Sequence, residues 1–457
     1  METVAINPMD AAWLYIEKRE APAHFGPLIF MSCPEGEPDF VARLVSEWRK
    51  SRQFAPPFNY RLAKGLVPKW EIVPNDELDM EYHLMHVGLP APGGEQQLGV
   101  LVSRLHSHRL DRRRPLWQVY IIEGLEDNRF ALYLKLHHSQ LDGMGAARLM
   151  ARCFSSDPGQ RGLLPPWSVG LSARKTSPKA DAKALSLANG VKQGKRLMNI
   201  AGALATLGKQ SYFTRDHALF APYQGPKSVL NSRIRGHRRY ATQRFELDEL
   251  KAVASAAGVK VNDVFLAITG AALRRYLGEI SALPRQSLVG QVPVSIRPAG
   301  DGSVGNALSF VYATLGTDLE DPIERLHAVR ASTDSAKHLQ SQLSADAIEA
   351  YTAIVLAPYI TETILNLGGH LRPAANLVIS NVQGPRERLY FNGARVEHIY
   401  GPSVLFHGQA LNITMASYAD EVNIGYTACR DTLPSMQKIA VYTREAFDEL
   451  AALVGAN

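Results

Sequence analysis

At 457 residues, with 46% hydrophobic and 21% charged side chains, the chain is too long for one ordinary core and too evenly mixed for a low-complexity protein. Its three cysteines, Cys33, Cys153 and Cys429, are odd in number and far apart, which excludes a disulfide framework or a CxxC metal pair and suits a reducing cytoplasm. The net charge of +6 is uneven: residues 174–240 hold fourteen Lys/Arg against Asp181 and Asp216, a local +12 that leaves −6 for the remainder.

The N-terminus carries acids where a secretory signal would be basic, and no segment reaches about 18 uninterrupted apolar residues. The expectation is a cytoplasmic chain whose membrane contact is peripheral. Asn7 or Asp10 caps a helical run from Ala11 to Lys18. Strands are predicted at Leu28–Ser32, Trp117–Glu123 and Arg129–Leu136, and a helix over Gln97–Arg109, where Leu98, Leu101, Val102 and Leu105 recur at helical spacing. Pro158-Gly159 and Pro165-Pro166-Trp167 break regular structure and mark a domain exit. Leu185–Lys209 reads as a helix with an apolar stripe (Leu187 to Gly208) and lysines off it. From Arg238 a second unit begins: strand then helix over 245–257, a long apolar helix Val261–Leu277, strands at 287–297 and 307–315, helices at 321–338 and 345–367, a buried strand Asn376–Ser380, a hairpin about 418–420, and a last helix Pro434–Val454 with Pro in its first turn. Strands and helices intermix in both halves, which predicts two α/β layers side by side.

The chemistry concentrates at His137-His138-Ser139-Gln140-Leu141-Asp142-Gly143. Side chains alternate along a strand, so Phe130, Leu132, Leu134, Leu136 and His138 share one face, while Ala131, Tyr133, Lys135 and His137 share the other. The two histidines therefore point apart, and His138 alone continues the apolar face. Three readings compete. Both histidines are satisfied core residues; or His138 and Asp142 begin a metal site that needs further ligands from elsewhere; or neutral His138 is a general base, since an imidazole of ordinary pKa ~6.5 deprotonates an alcohol, amine or thiol near neutral pH.

Pro115-Leu116-Trp117 lies just before the histidine strand, Asn262-Asp263-Val264 opens the long helix, and Pro293-Val294-Ser295-Ile296-Arg297 and Ser380-Asn381-Val382-Gln383-Gly384-Pro385 follow. Met9-Asp10-Ala11-Ala12-Trp13-Leu14 opens the chain. With the His-His-x3-Asp-Gly run, this series resembles the bacterial wax ester synthase/acyl-CoA:diacylglycerol acyltransferase family, within the superfamily of chloramphenicol acetyltransferase and peptide-synthetase condensation domains. The resemblance spans nearly the whole chain, with Gln383 where relatives often have Pro. It implies an α/β fold of two chloramphenicol-acetyltransferase-like mixed-sheet domains, residues 1–170 and 238–457, joined by a basic, partly helical linker, 171–237.

It also implies an active site in a tunnel between the domains and an acyl-CoA-dependent O-acyltransferase that esterifies long-chain fatty alcohols and diacylglycerol, with no cofactor or metal. His138 is then the base in a direct transfer. Asp142 organises the loop, with Arg297 one candidate partner, and Gly143 keeps the tunnel open. His137 supports His138. Asn262 and Asp263 read equally as a helix cap and as part of the site. Pro115, Leu116, Trp117, Ser380 and Asn381 are architecture at the domain seam. The basic segment, a solvated linker on the plainer reading, would otherwise meet coenzyme A phosphates or an anionic lipid surface. No nucleic-acid-binding motif accompanies it. Two alternatives stand: a condensation-type enzyme with carrier-protein donors, and a non-catalytic protein that binds lipid inclusions.

Overall fold

The histidine strand is central and buried on both faces. The computed structural model describes residues 2–65, 67–171, 202, 218–295, 308–341 and 345–456. In chain order its principal strands are β1 (His24–Phe25), β2 (Leu28–Ser32), β3 (Leu84–Gly88), β4 (Trp117–Leu125), β5 (Arg129–His137), β6 (Arg238–Glu246), β7 (Val289–Ser295), β8 (Leu308–Thr314), β9 (Leu377–Gln383), β10 (Tyr390–Phe391), β11 (Ala394–Tyr400), β12 (Leu411–Tyr418) and β13 (Glu421–Cys429). The helices used below are α1 (Pro8–Ile16), α2 (Phe40–Arg49), α3 (Glu95–Ser107), α4 (Gly143–Cys153), α5 (Leu247–Ala256), α6 (Val261–Glu279), α7 (Pro322–Ser341), α8 (Ala345–Ile364) and α9 (Gln437–Val454).

Two mixed sheets result. One has seven strands in the order β10-β11-β2-β5-β4-β3, with β1 also on β5; the other runs β8-β7-β9-β12-β13-β6. In the first, β3 and β4 are parallel and α3 makes the crossover between them. On β5, Phe130, Leu132, Leu134 and Leu136 join one apolar core with α2 and α4, while Ala131 and Tyr133 join another beneath α3. The fully buried Trp117 donates its indole N–H to the Phe58 carbonyl at 2.7 Å and stacks on His83 and Trp167. The second sheet packs its core against α5, α6, α7 and α9.

The predicted elements from 245 onward appear within a few residues of their expected ends. The last helix begins at Gln437, so Pro434 lies before it and not in its first turn. Residues 390–400 supply β10 and β11, of which β11 pairs with β2 and β10 with β11 in the first sheet, so the sheets do not follow a single cut of the chain. Apart from Gly202, the helix expected over Leu185–Lys209 lies outside the described residues, as does about two-thirds of the linker.

Where the lobes meet, β6 is an edge strand whose outward amides need partners. Helix α3 provides them through serines four residues apart. Ser107 Oγ accepts the Arg238 N–H and Ser103 Oγ the Tyr240 N–H, each at 2.8 Å, and Thr242 donates to Glu95 at 3.0 Å. A helix of the first lobe thus closes the open edge of the second.

Candidate active site

Strand β5 ends at His137, held on both sides: its N–H donates to the Leu116 carbonyl at 3.0 Å, and it pairs with His24 of β1. The next residue donates its own N–H to the Ala23 carbonyl at 2.9 Å. The side chains then diverge, as alternation requires. The His138 ring stacks on Trp13 (centroids 4.1 Å apart, planes at 11°) and lies against Phe25 at 4.3 Å. Trp13 in turn meets Phe406, from the loop between β11 and β12, at 5.9 Å. His138 therefore sits between two aromatic rings of the N-terminal half, one of them backed by Phe406 of the C-terminal half.

The ring is partly exposed, and no hydrogen bond fixes either nitrogen among the described residues. Burial pulls its pKa down to about 3; the Asp142 charge opposes this and His137 adds to it. It is neutral at physiological pH, the form a general base needs.

His137 has the opposite surroundings. It is fully buried. Its Nδ1 accepts the Ser139 N–H at 3.1 Å and lies 2.7 Å from Ser139 Oγ, which leaves the proton on Nε2, facing Glu17 Oε1 at 3.7 Å. Glu17 is buried too. Its carboxylate accepts the Ala23 N–H at 3.2 Å and the Arg112 Nε–H at 2.9 Å, with Arg112 Nη2 in ion-pair contact at 2.9 Å while it donates to the Leu14 carbonyl. Burial alone would raise its pKa, but His137, the Ala23 amide and Arg112 together hold it down to about 2. An Arg112–Glu17–His137–Ser139 chain thus fixes the backbone on either side of His138. The helical turn of α1 runs on to Glu17, whose N–H donates to the Trp13 carbonyl. Trp13 and Glu17, four apart on one helix face, meet one histidine each.

Asp142 is the N-cap of α4, accepting the Gly145 N–H at 2.6 Å. Among the described residues no arginine pairs with it, and Arg297 lies outside them. Asp142→Ala should lose about 1 kcal/mol of stability as a lost cap. It should reduce turnover less than loss of His138; thermal melts and initial rates read the two effects separately.

Gly143 is the first residue of α4, and a Cβ built there meets nothing within 4 Å. Gly143→Ala should therefore fold with an unchanged melting temperature. Any fall in its turnover would report substrate passing through that space.

Asp263 is buried at the start of α6, where it accepts the Lys260 N–H at 3.1 Å and the Thr333 hydroxyl at 2.8 Å, tying α6 to α7. Its contacts are those of a helix cap. Asn262 Oδ1 lies 3.5 Å from Asn381 Nδ2 on β9, which brings two motifs of the second lobe together. Ser380 is half-buried on the same strand. Beyond it, Gly384 passes so near Ser417 that a Cβ would come within 2.2 Å of that carbonyl, which explains the glycine. Leu116 and Trp117 are core, and Pro115 precedes them in the turn.

The family model for the wax ester synthase/diacylglycerol acyltransferase catalytic domain matches residues 6–265, and that for the C-terminal domain matches 304–451. The chain belongs to the wax ester synthase/diacylglycerol acyltransferase family. It is 39% identical to a putative diacylglycerol O-acyltransferase of Mycobacterium tuberculosis, over 99% of this chain and 98% of that protein. It is 38% identical to the O-acyltransferase WSD of Acinetobacter baylyi, over 96% and 95%. The solved wax ester synthase/diacylglycerol acyltransferase of Marinobacter aquaeolei VT8 superposes with a TM-score of 0.80 at 36% identity, covering 99% of this chain and all of that one. The first condensation domain of the calcium-dependent antibiotic synthetase shares the fold, with a TM-score of 0.56 at 14% identity over 99% of this chain and 97% of that domain. This family member is an acyltransferase with the two-lobed mixed α/β fold of its relatives.

Proposed function

We propose that this acyltransferase takes long-chain acyl groups from acyl-CoA and esterifies fatty alcohols, giving wax esters, and diacylglycerol, giving triacylglycerol, with His138 as the base. The observation that carries this reading is the His138 ring itself: neutral, unfixed by hydrogen bonds, and clamped between aromatic rings at a wall shared by both halves of the chain. The alcohol hydroxyl gives its proton to His138 as its oxygen attacks the thioester carbonyl. The tetrahedral intermediate collapses, the C–S bond breaks, and the imidazolium returns the proton to the departing thiolate. Both substrates must be bound at once, so positioning supplies much of the rate.

The test is product analysis with palmitoyl-CoA, offering hexadecanol and diacylglycerol in competition. Wax ester and triacylglycerol with equimolar free CoA are expected. Ester formation from a carrier-protein thioester but not from palmitoyl-CoA would replace the reading with a condensation-type one.

Such substrates reside in lipid, and one surface suits a lipid partner. Ile354, Ile364, Leu365, Leu367 and Leu371, from α8 and the turn after it, are each 38–60% exposed. Arg233, Lys227 and Arg372 border them, donating to the carbonyls of Asn366, His370 and Gly225. Apolar side chains rimmed by cations fit an anionic lipid surface. Among the described residues no single helix is long and apolar enough to cross a membrane. The double variant Ile364→Asp/Leu365→Asp should lose most of its co-sedimentation with anionic vesicles; unchanged partitioning would remove this face from consideration.

A further inference from the structure

The seam between α3 and β6 opens into a cleft of about 760 Å³ on the outer side of the lobes. Six arginines line it, Arg19, Arg104, Arg109, Arg238, Arg239 and Arg430, against one carboxylate, Glu20. Two are already engaged. Arg238 is buried and donates to the Arg235 and Glu20 carbonyls, and Arg430 reaches Asp431. The other four have no carboxylate within ion-pair distance among the described residues. Four unpaired guanidinium groups around one concavity repel each other unless an anion joins them. Guanidinium forks match phosphate oxygens, so the ligand chemistry is that of clustered phosphates.

The cleft is tied to the site behind it. Its α3 wall includes His108, whose carbonyl accepts from Lys135 Nζ, as does that of Leu105. Lys135 lies on β5 two residues before His137. The opposite rim, Arg19-Glu20, runs within three residues to Ala23, whose carbonyl holds the His138 amide. A ligand that reached both the cleft and His138 would be long, with its charge at one end. Resting on the acyl-CoA reading above, we infer that the cleft binds the 3′-phosphate and pyrophosphate of coenzyme A, with Arg19, Arg104, Arg109 and Arg239 as the phosphate contacts. This also gives a place to part of the basic run noted in the sequence, because Arg238 and Arg239 belong to it.

The test uses the exposed pair Arg104→Glu/Arg109→Glu, whose side chains support no other described residue. The Michaelis constant for palmitoyl-CoA should rise about ten-fold or more, a loss of at least one phosphate contact. Palmitoyl-N-acetylcysteamine, which carries the thioester but no phosphate, should be turned over alike by variant and wild type. Calorimetric binding of adenosine 3′,5′-bisphosphate should be lost. An unchanged Michaelis constant with retained bisphosphate binding overturns the assignment. So does a variant that loses only its affinity for anionic vesicles, which would give the cleft to lipid headgroups. The bisphosphate titration needs no turnover, so it judges the cleft even if palmitoyl-CoA proves not to be the acyl donor.

Discussion

Replacing His138 with alanine should lower turnover by roughly 10²–10⁴, the usual contribution of a positioned general base. The ring makes no hydrogen bond within the described protein, so its loss leaves no polar partner stranded. Trp13 and Phe25 remain to line the space. The Michaelis constant for palmitoyl-CoA and the circular dichroism spectrum should therefore change little. Release of free CoA in the presence of hexadecanol, followed with a thiol reagent, is the measurement. A purified variant that kept near-full release would falsify the assignment of the base.

The same burial predicts an unusual pH profile. A base held near 3 in the free enzyme stays neutral down to low pH, so activity should show no acid limb around 6.5. Its weakness as a base is eased during reaction, because the developing oxyanion favours the imidazolium. The fold, not the base, should fail first on acidification. His83 and His407 are held at about 4, and His106 and His138 at about 3, in each case chiefly by burial. Unfolding frees them to take up protons near 6.5, so the unfolded state binds more protons below that pH. Stability is thus fully present above 6.5 and is lost as pH falls toward 4, which melting temperatures across pH 7.5 to 4.5 will show.

Much of this site is legible from local pattern. Strand periodicity separates His138 from His137, and both go where it sends them. The aspartate–glycine turn becomes a capped helix, and Asn262-Asp263 opens a helix as its composition suggests. What escapes local reading depends on partners distant in sequence. Strand β11 carries no sign that it pairs with β2, hundreds of residues earlier. Lys135 looks like an exposed strand position, yet it is buried because α3 turns two carbonyls toward it. Glu17 reads as an ordinary helix-end acid. The one available signal was its four-residue spacing from Trp13 in the opening motif, and only the histidines opposite give that spacing meaning.

Glu17 is accordingly where the second large effect is expected, on stability more than on chemistry. Glu17→Ala leaves the Ala23 amide and the inner face of Arg112 without their acceptor and removes the carboxylate that faces His137 Nε2 at 3.7 Å. Breaking a fully buried ion pair costs about 3–5 kcal/mol. Arg112 is about one-third exposed and can be rehydrated, so a loss of about 2–4 kcal/mol is expected here. Glu17→Gln keeps an oxygen for the Ala23 amide and should recover part of it. The two variants separate architecture from catalysis. If Glu17 acts only by holding His137 and the loop, turnover by the Gln variant at a temperature well below its melt should stay within a few-fold of wild type. If instead both variants lose activity as severely as His138→Ala while Gln retains most of the stability, then the Glu17 charge is felt in the reaction itself. His137 would then transmit it to the neighbouring ring rather than merely anchor the strand end.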